Sequence, residues 1–295
     1  MNTLNNALHT QPTWVNTLKN DNTTNNQVAH ILKMESRNLD YQKVADTLIF
    51  QLREYLENSK QKWFVLWVSG WIDSAVVSTL CAYTGFPTLV MDLPIHQKID
   101  EVNRAKDHMT WLQENFSNIE RQSIDLTQTF ETLKSALPEV QNPEWRYLAE
   151  VNTRSRLRAV TLYALWNEKS YLVAGTGNKV EDYGIWFFTK FWDGAVDLSP
   201  IGNLYKSEVY ALAKHLWVIQ SILQARPTDW LHPNGATDED QIGATYDELE
   251  WAMVEYDNGK RKTDFTWRDY KVMEIYTARH ESNAHKMNMP PVFNI

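Results

Sequence analysis

Ser69, Gly70, Asp73 and Ser74 fall within the stretch Val68-Ser69-Gly70-Trp71-Ile72-Asp73-Ser74, which follows an apolar run ending at Trp67 and opens a helix-like segment. A strand, a short S-G-x-x-D-S turn and a helix N-terminus together can hold a pyrophosphate group. Backbone N–H groups in the turn and first helical turn point at the anion, and the helix dipole favours it. The hydroxyls of Ser69 and Ser74 can donate hydrogen bonds, and Asp73 can hold a hard divalent cation against phosphate oxygens. The spacing is not that of a Walker A loop, which needs a second glycine followed by Lys-Ser/Thr. Taken alone, the same residues also fit an ordinary strand-to-helix turn capped by serine.

Other residues that could do chemistry read differently on their own than in company. Glu181, in GTGNKVED after Thr176, is a carboxylate suited to a helix N-terminus. Lys206 is expected to be solvated, early in a helix that follows Leu204, and Thr228 to be a turn residue after Pro227. Arg154 and Arg158 share a helix face, whereas Arg156 points nearly the other way. A salt-bridged helix surface is the expectation for Arg154 and Arg158. His285 reads as an exposed residue near the C-terminus, and Cys81 as a small core residue of an apolar helix. No Ser-His-Asp or Cys-His spacing suggests a protein nucleophile.

The elements that must position these residues alternate along the chain. Helical spacing runs from Tyr41 to Asn58, followed by the buried-strand run WFVLWVS and the helix SAVVSTLCAYTG, closed by Gly85. PTLVMDLPI reads as a second strand, DEVNRAKDHMTWLQENF as a helix, RQSIDL as a third strand and TQTFETLKSAL as a helix. A longer helix fits from about Trp145 to Trp166, and YLVAG is a fourth strand leading into TGNK. Strands alternating with helices predict an α/β fold, a doubly wound parallel sheet covered on both faces with helical C-terminal additions from Leu204. Residues 1–38, rich in Asn and Thr, read as a flexible extension, and residues 39–295 as one domain.

Composition narrows the classes. Hydrophobic residues make up 43% and charged residues 22%, the balance of a globular chain. No apolar run is long enough to cross a bilayer, and the N-terminus has no basic patch leading into an apolar core, so a cytoplasmic protein with no membrane association is expected. A net charge of −8 argues against non-specific nucleic-acid binding. One cysteine rules out a disulfide framework and a multi-cysteine metal site.

The loop resembles the SGGxDS signature of the ATP pyrophosphatases, enzymes that split ATP between its α and β phosphates. The blocks NTRSRLR, VAGTGNKVED, FFTKFWDGAVDLSPIGNLYKSEV, RPTDW, TDEDQIGATYDELEWAM and AHKM, taken in order, are similar to the ammonia-dependent NAD synthetases over roughly Tyr41 to Pro291. That resemblance implies the Rossmann-like adenine nucleotide α-hydrolase fold and amidation of deamido-NAD. The substrate carboxylate attacks the α-phosphate of ATP, and ammonia then displaces AMP from the adenylated intermediate. It implies ATP contacts at Trp67, Val68, Ser69, Gly70, Trp71, Ile72, Asp73, Ser74, Thr176, Lys206 and Thr228. It implies Mg2+ on Asp73 and Glu181, and deamido-NAD contacts at Arg156, Lys190, Asp197, His285 and Lys286. A homodimer is implied as well, since in this family a partner subunit helps complete the dinucleotide site. Free ammonia is the expected nitrogen donor, because the chain has no room for an amidase domain. Alternatives are a folded member with impaired catalysis, or another ATP pyrophosphatase, tRNA-modifying or GMP-forming.

One departure from the family pattern is systematic. The chain holds 13 Trp against 10 Gly, where roughly 7% glycine is ordinary. Trp67, Trp71, Trp186, Trp192 and Trp230 stand where the family usually carries glycine, with Trp63 and Trp217 as further candidates. An indole at such a position is expected either to obstruct the loops and strain them by roughly 1–3 kcal/mol at positive φ, or to lie outward from shifted loops.

Overall fold

The apolar runs of the N-terminal half become a four-stranded parallel sheet whose strands are linked by helices. The computed structural model describes residues 37–191, 196–225, 238–286 and 292–293. Residues 39–295 fall in one compact unit; the expected extension lies almost wholly outside the described residues, as do Trp192, Thr228 and Trp230.

Helix α1 (Tyr41–Asn58) starts where the Asp40 carboxylate accepts the Lys43 N–H at 3.3 Å. Then follow β1 (Trp63–Trp67), α2 (Ile72–Tyr83), β2 (Thr88–Asp92), α3 (Ile99–Asn115), β3 (Ile119–Ser123), α4 (Thr127–Ala136), α5 (Pro143–Lys169) and β4 (Tyr171–Val173). A π-helical turn, Lys179–Gly184, follows β4. The later elements among the described residues are helical: α6 (Lys206–His215), α7 (Gln220–Leu223), α8 (Asp238–Ile242), α9 (Tyr246–Asp257) and α10 (Trp267–Asn283). The sequence reading places the third strand about two residues late. Its true start is set by pairing of Ile119 with Thr88, a long-range register that local composition does not carry.

Strand order is β3-β2-β1-β4, all parallel. Side chains alternate across the sheet, so each strand feeds two cores. From β1, Phe64 and Leu66 join α1, α2, α3 and α6, while Val65 joins Phe130 of α4 and Leu162 of α5 on the opposite face. Phe64, Val65 and Leu66 have no exposed surface, and each such burial stabilises the fold by about 1.5–3 kcal/mol. Cys81 lies in the first of these cores, fully buried, with its thiol pushed far up by burial. It is a core residue, as its sequence context suggests. The outer strand β3 buries only Ile119 and exposes its other residues.

Candidate active site

The chain runs from β1 through β2 to β3 on one side of β1, then returns to place β4 on the other. The carboxyl ends of β1 and β4 therefore flank the point where strand order reverses, the position at which open α/β sheets bind ligands. Both loops that carry candidate residues leave from these two ends.

After β1 the turn is held by its own serines. Ser74 Oγ donates to the Trp71 carbonyl at 3.0 Å and accepts the Ser69 N–H at 3.1 Å, and the two serine hydroxyls lie 3.0 Å apart. Gly70 adopts φ +83°, and a Cβ there would meet the Glu101 carbonyl oxygen of α3 at 2.7 Å, so the turn needs glycine at this place. Residue 71 follows in extended conformation, φ −112°, as the N-cap of α2. Its indole packs under the Arg104 guanidinium, 4.4 Å from the ring centroid, while Arg104 Nε donates to the Gly70 carbonyl at 3.3 Å. The first N–H groups of α2, at the start of Ile72-Asp73-Ser74, have no partner within the helix.

After β4 the chain passes Thr176 and reaches Asn178, whose Oδ1 accepts the N–H groups of Val180 and Glu181 at 3.1 Å each. This starts the π-helical turn and sets Glu181 in its first turn. Asn178 Nδ2 donates to Asp73 Oδ1 at 3.1 Å, tying the two loops together. A Cβ at Gly177 would overlap the Asp182 carboxylate at 1.5 Å, so a larger residue there requires that side chain to move.

Lys206, the first residue of α6, completes the cluster. Its Nζ lies 2.6 Å from Asp73 Oδ2 and 2.9 Å from Glu181 Oε1, with side-chain exposures of 6% for Lys206, 14% for Asp73 and 20% for Glu181. Tyr246, the first residue of α9, donates its hydroxyl to the same Glu181 oxygen at 2.5 Å, and its ring centroid lies 5.0 Å from the ammonium. Burial opposes the charge on Lys206, but Asp73 and Glu181 outweigh it and hold the ammonium well above the ordinary lysine value. Burial raises the Asp73 carboxyl despite Lys206. For Glu181 burial is overcome by Lys206 and by the hydrogen bonds from Tyr246 and Asn178, which hold it low.

This corrects the expectation of a solvated Lys206. Two carboxylates from other elements draw the ammonium inward, which no local pattern around residue 206 announces. Sequence reasoning also missed Tyr246 and Asn178; the second lies within GTGNK, but only the fold shows that it bridges to Asp73.

The residues expected at the dinucleotide form a second group. Arg156 Nε donates to the Lys190 carbonyl at 3.2 Å, Lys190 Nζ to the His285 carbonyl at 3.1 Å, and Lys286 Nζ to the Trp186 and Phe188 carbonyls at 2.9 Å each. The short 3-10 turn Ala284–Lys286 and the segment 186–190 are thus tied together by lysines from both sides. Asp197 stands apart from them, accepting the Val173 N–H of β4 at 2.7 Å and lying 3.4 Å from the Tyr163 hydroxyl. Thr176 lines a small cavity with Trp67, Leu162, Val173 and Val196.

Arg158 does not lie on the helix surface expected of it and Arg154. Arg158 is 4% exposed, donates from Nε to the Leu93 carbonyl at 3.0 Å and stacks 4.2 Å over the Trp67 ring. Arg154 lies 5.9 Å from the Phe130 ring. Aromatic faces from β1 and α4 receive these guanidiniums. The expected strain at tryptophan is also partial. Trp63, Trp67 and Trp71 have ordinary backbone angles, whereas Trp186 and Trp217 sit at φ +54° and +60°.

Residues 44–290 match the family model for NAD synthase. The NH(3)-dependent NAD(+) synthetase of Archaeoglobus fulgidus is 32% identical over 265 residues, covering 87% of this chain and 98% of that protein. The corresponding protein of Alkaliphilus oremlandii is 35% identical, covering 85% and 96%. Among solved structures, an NMN synthetase from Francisella tularensis is 29% identical with a TM-score of 0.75, covering 88% of this chain and 100% of the other. The NH3-dependent NAD synthetase of Campylobacter jejuni, at 24% identity and a TM-score of 0.70, shares the fold. With the family model and these relatives spanning most of its length, the chain belongs to the NAD synthase family.

Proposed function

We propose that this protein is an ammonia-dependent NAD synthetase, which amidates deamido-NAD at the expense of ATP and releases AMP and pyrophosphate. The observation that carries the reading is the meeting of Asp73, from the loop after β1, with Glu181, from the loop after β4, on one Lys206 ammonium at the topological switch point.

The N–H groups at the start of α2 and the hydroxyls of Ser69 and Ser74 are suited to phosphate oxygens of ATP. Thr176 and Thr228 are further ATP contacts by family resemblance. The residues present fit Mg2+: Asp73 and Glu181 offer hard oxygens, and the pair already holds a cation in the form of Lys206. When bound, the ion neutralises charge on the phosphates. Lys206 then serves the pyrophosphate leaving group, a compact charge suited to that role. Positioning and charge neutralisation suffice for this chemistry, in keeping with the inert, buried Cys81.

Arg156, Lys190, Asp197, His285 and Lys286 are assigned to deamido-NAD, and a homodimer in the cytoplasm is the proposed setting. Trp145 and Leu148, exposed and one helical turn apart on α5, support a docking face between copies. No helix among the described residues is long and apolar enough to cross a membrane.

The test is a coupled assay for NAD with deamido-NAD, ATP, magnesium and ammonium. NAD, AMP and pyrophosphate in equal amounts are expected. Amidation of another acid, the deamidated form of NMN included, with deamido-NAD left untouched would overturn the assignment. Absence of any amidated product would identify a folded member without turnover.

A further inference from the structure

Asp73 and Glu181 converge on one atom, and that atom is already a cation. A divalent ion shared by the two carboxylates must occupy the space that Lys206 Nζ fills at 2.6 and 2.9 Å. Lys206 is held there by more than charge: its side chain is 6% exposed and the Tyr246 ring lies against it. We propose that Lys206 is a resident counter-cation that keeps the acidic pair closed to free divalent ions and yields it only when a nucleoside triphosphate arrives with its metal. The inference rests on the nucleotide reading given above, because phosphate oxygens must supply the ammonium with new acceptors when it leaves.

The physical logic is a competition between two cations for one pair of anions. Without a nucleotide, a metal that enters must displace the ammonium from the two carboxylates, its hydrogen-bond acceptors among the described residues, and a partly buried ammonium without acceptors is costly. With a nucleotide, the lysine exchanges carboxylate for phosphate and the metal takes its place, so metal and nucleotide bind together. Tyr246 fixes the Glu181 oxygen that both cations use and acts as a positioning residue for the exchange.

The test is manganese binding to the purified protein, read by the loss of free-ion paramagnetic signal with and without ATP. Lys206→Met is expected to bind Mn2+ alone at least about tenfold more tightly than the parent, since the competing charge is gone. Lys206→Arg, which keeps the charge, is expected to remain as weak as the parent. ATP is expected to tighten Mn2+ binding in the parent far more than in Lys206→Met. Equal or weaker Mn2+ binding by Lys206→Met in the absence of ATP overturns the proposal. If that variant does not fold, as shown by circular dichroism, Lys206→Gln takes its place with the same outcomes. These readouts stand whether or not deamido-NAD is the substrate.

Three tryptophans hold backbone conformations that suit glycine, and this concerns the chemical identity of the chain. Among the described residues, seven non-glycine residues have positive φ, and Trp186, Trp217 and Trp267 are three of them. A bulky residue in that region is a genuine outlier. Trp217 occupies the left-handed place of a regular helix ending: its N–H reaches the Lys214 carbonyl at 3.3 Å and the Val218 N–H reaches that of Ala213 at 3.1 Å. Helix α9 ends with the same pair of bonds, Gly259 to Tyr256 and Lys260 to Glu255, around a glycine at φ +83°. Lys60 fills the equivalent place after α1, so glycine is favoured there but not required.

The indoles of Trp217 and Trp267 return little for their strain, whereas Trp186 packs against Tyr183, Phe188 and His280. Trp217 is 66% and Trp267 91% exposed, and Trp186 buries its Nε1 without a hydrogen-bond partner among the described residues. We infer that the polypeptide made in its source cell carries glycine at positions 186, 217 and 267, encoded by UGA. Different genetic codes read that codon as stop, tryptophan or glycine, and a single reassigned codon replaces one residue type by one other at unrelated positions. Tandem mass spectrometry of peptides from the protein isolated from its source is expected to show glycine at all three. Tryptophan in those peptides, or UGG codons in the gene, overturns the inference. In recombinant protein Trp217→Gly is expected to raise the thermal midpoint; a lower midpoint would remove the backbone argument.

Discussion

Asn178 and Asp73 come from loops on either side of the strand-order reversal, and a single amide joins them: Nδ2 of Asn178 donates to Asp73 Oδ1 at 3.1 Å. The other end of the same amide accepts the Glu181 N–H, so one side chain sets the spacing of both carboxylates. Replacing it by alanine should cost about 1–2 kcal/mol of stability from the lost hydrogen bonds. Pyrophosphate release should slow by at least about tenfold, because the acidic pair is no longer held in register. Denaturant unfolding and steady-state kinetics of Asn178→Ala check the two effects, and unchanged kcat would show that the carboxylates find their spacing without it.

The carboxylates themselves give a second prediction. Asp73→Asn and Glu181→Gln should each abolish magnesium-dependent pyrophosphate release while the protein stays folded. Each variant leaves Lys206 with one anionic partner in place of two, at a cost of about 1–3 kcal/mol, reduced by the partial exposure of the site. Parental turnover in either variant would remove that residue from the metal assignment.

Glu250 of α9 supplies a pH prediction. It is fully buried, accepts the Ser207 N–H at 2.9 Å and the Ser207 hydroxyl at 2.7 Å, and burial pushes its carboxyl up to about 7 against these bonds. Its folded value lies above the unfolded one, so the protonated form favours the folded state. Stability from this group is present at acid pH and is lost as pH rises from the ordinary carboxylate range through about 7. The loss should approach about 3 kcal/mol. Thermal or urea unfolding between pH 5 and 8 should show the decline in the parent and its removal in Glu250→Gln. Identical slopes would mean that Glu250 ionises normally in the folded protein.

Lys286 gives a prediction about motion. Its ammonium holds the carbonyls of Trp186 and Phe188. Lys286→Ala should speed amide hydrogen exchange across residues 186–190 by about tenfold or more, as expected when a local tie of about 1.5–3 kcal/mol is released. If the lysine also meets deamido-NAD, KM for that substrate should rise with kcat less affected. Unchanged exchange would show that the segment is held by its aromatic packing instead.

Much of the architecture was legible because it is written in short-range patterns. The apolar run at 63–67 and the helical spacing at 41–58 match β1 and α1, and Gly85 closes α2 at φ +77°. Asp73 was legible too, since strand, glycine turn and helix start are adjacent in sequence. Glu181 and Lys206 were reached through family resemblance, and their contact was not legible at all. It depends on β4 lying beside β1 and on α6 returning over both, which are properties of the closed fold. Arg158 misled for the same reason: its partners, the Trp67 ring and the Leu93 carbonyl, are far away in sequence. Residue type alone also overstated strain at tryptophan, because the positive φ of this turn falls on Gly70 and residue 71 is extended.

The outer strand β3 has a consequence for how copies of this protein can associate. Its Glu120, Arg121, Gln122 and Ser123 are exposed along a rim with one neighbouring strand among the described residues. Mixed charge on an open rim discourages another chain from adding its backbone there. Continuous sheets running from one molecule to the next, and the fibrous aggregates that grow from them, are therefore disfavoured, which leaves helical surfaces as the route to a closed assembly.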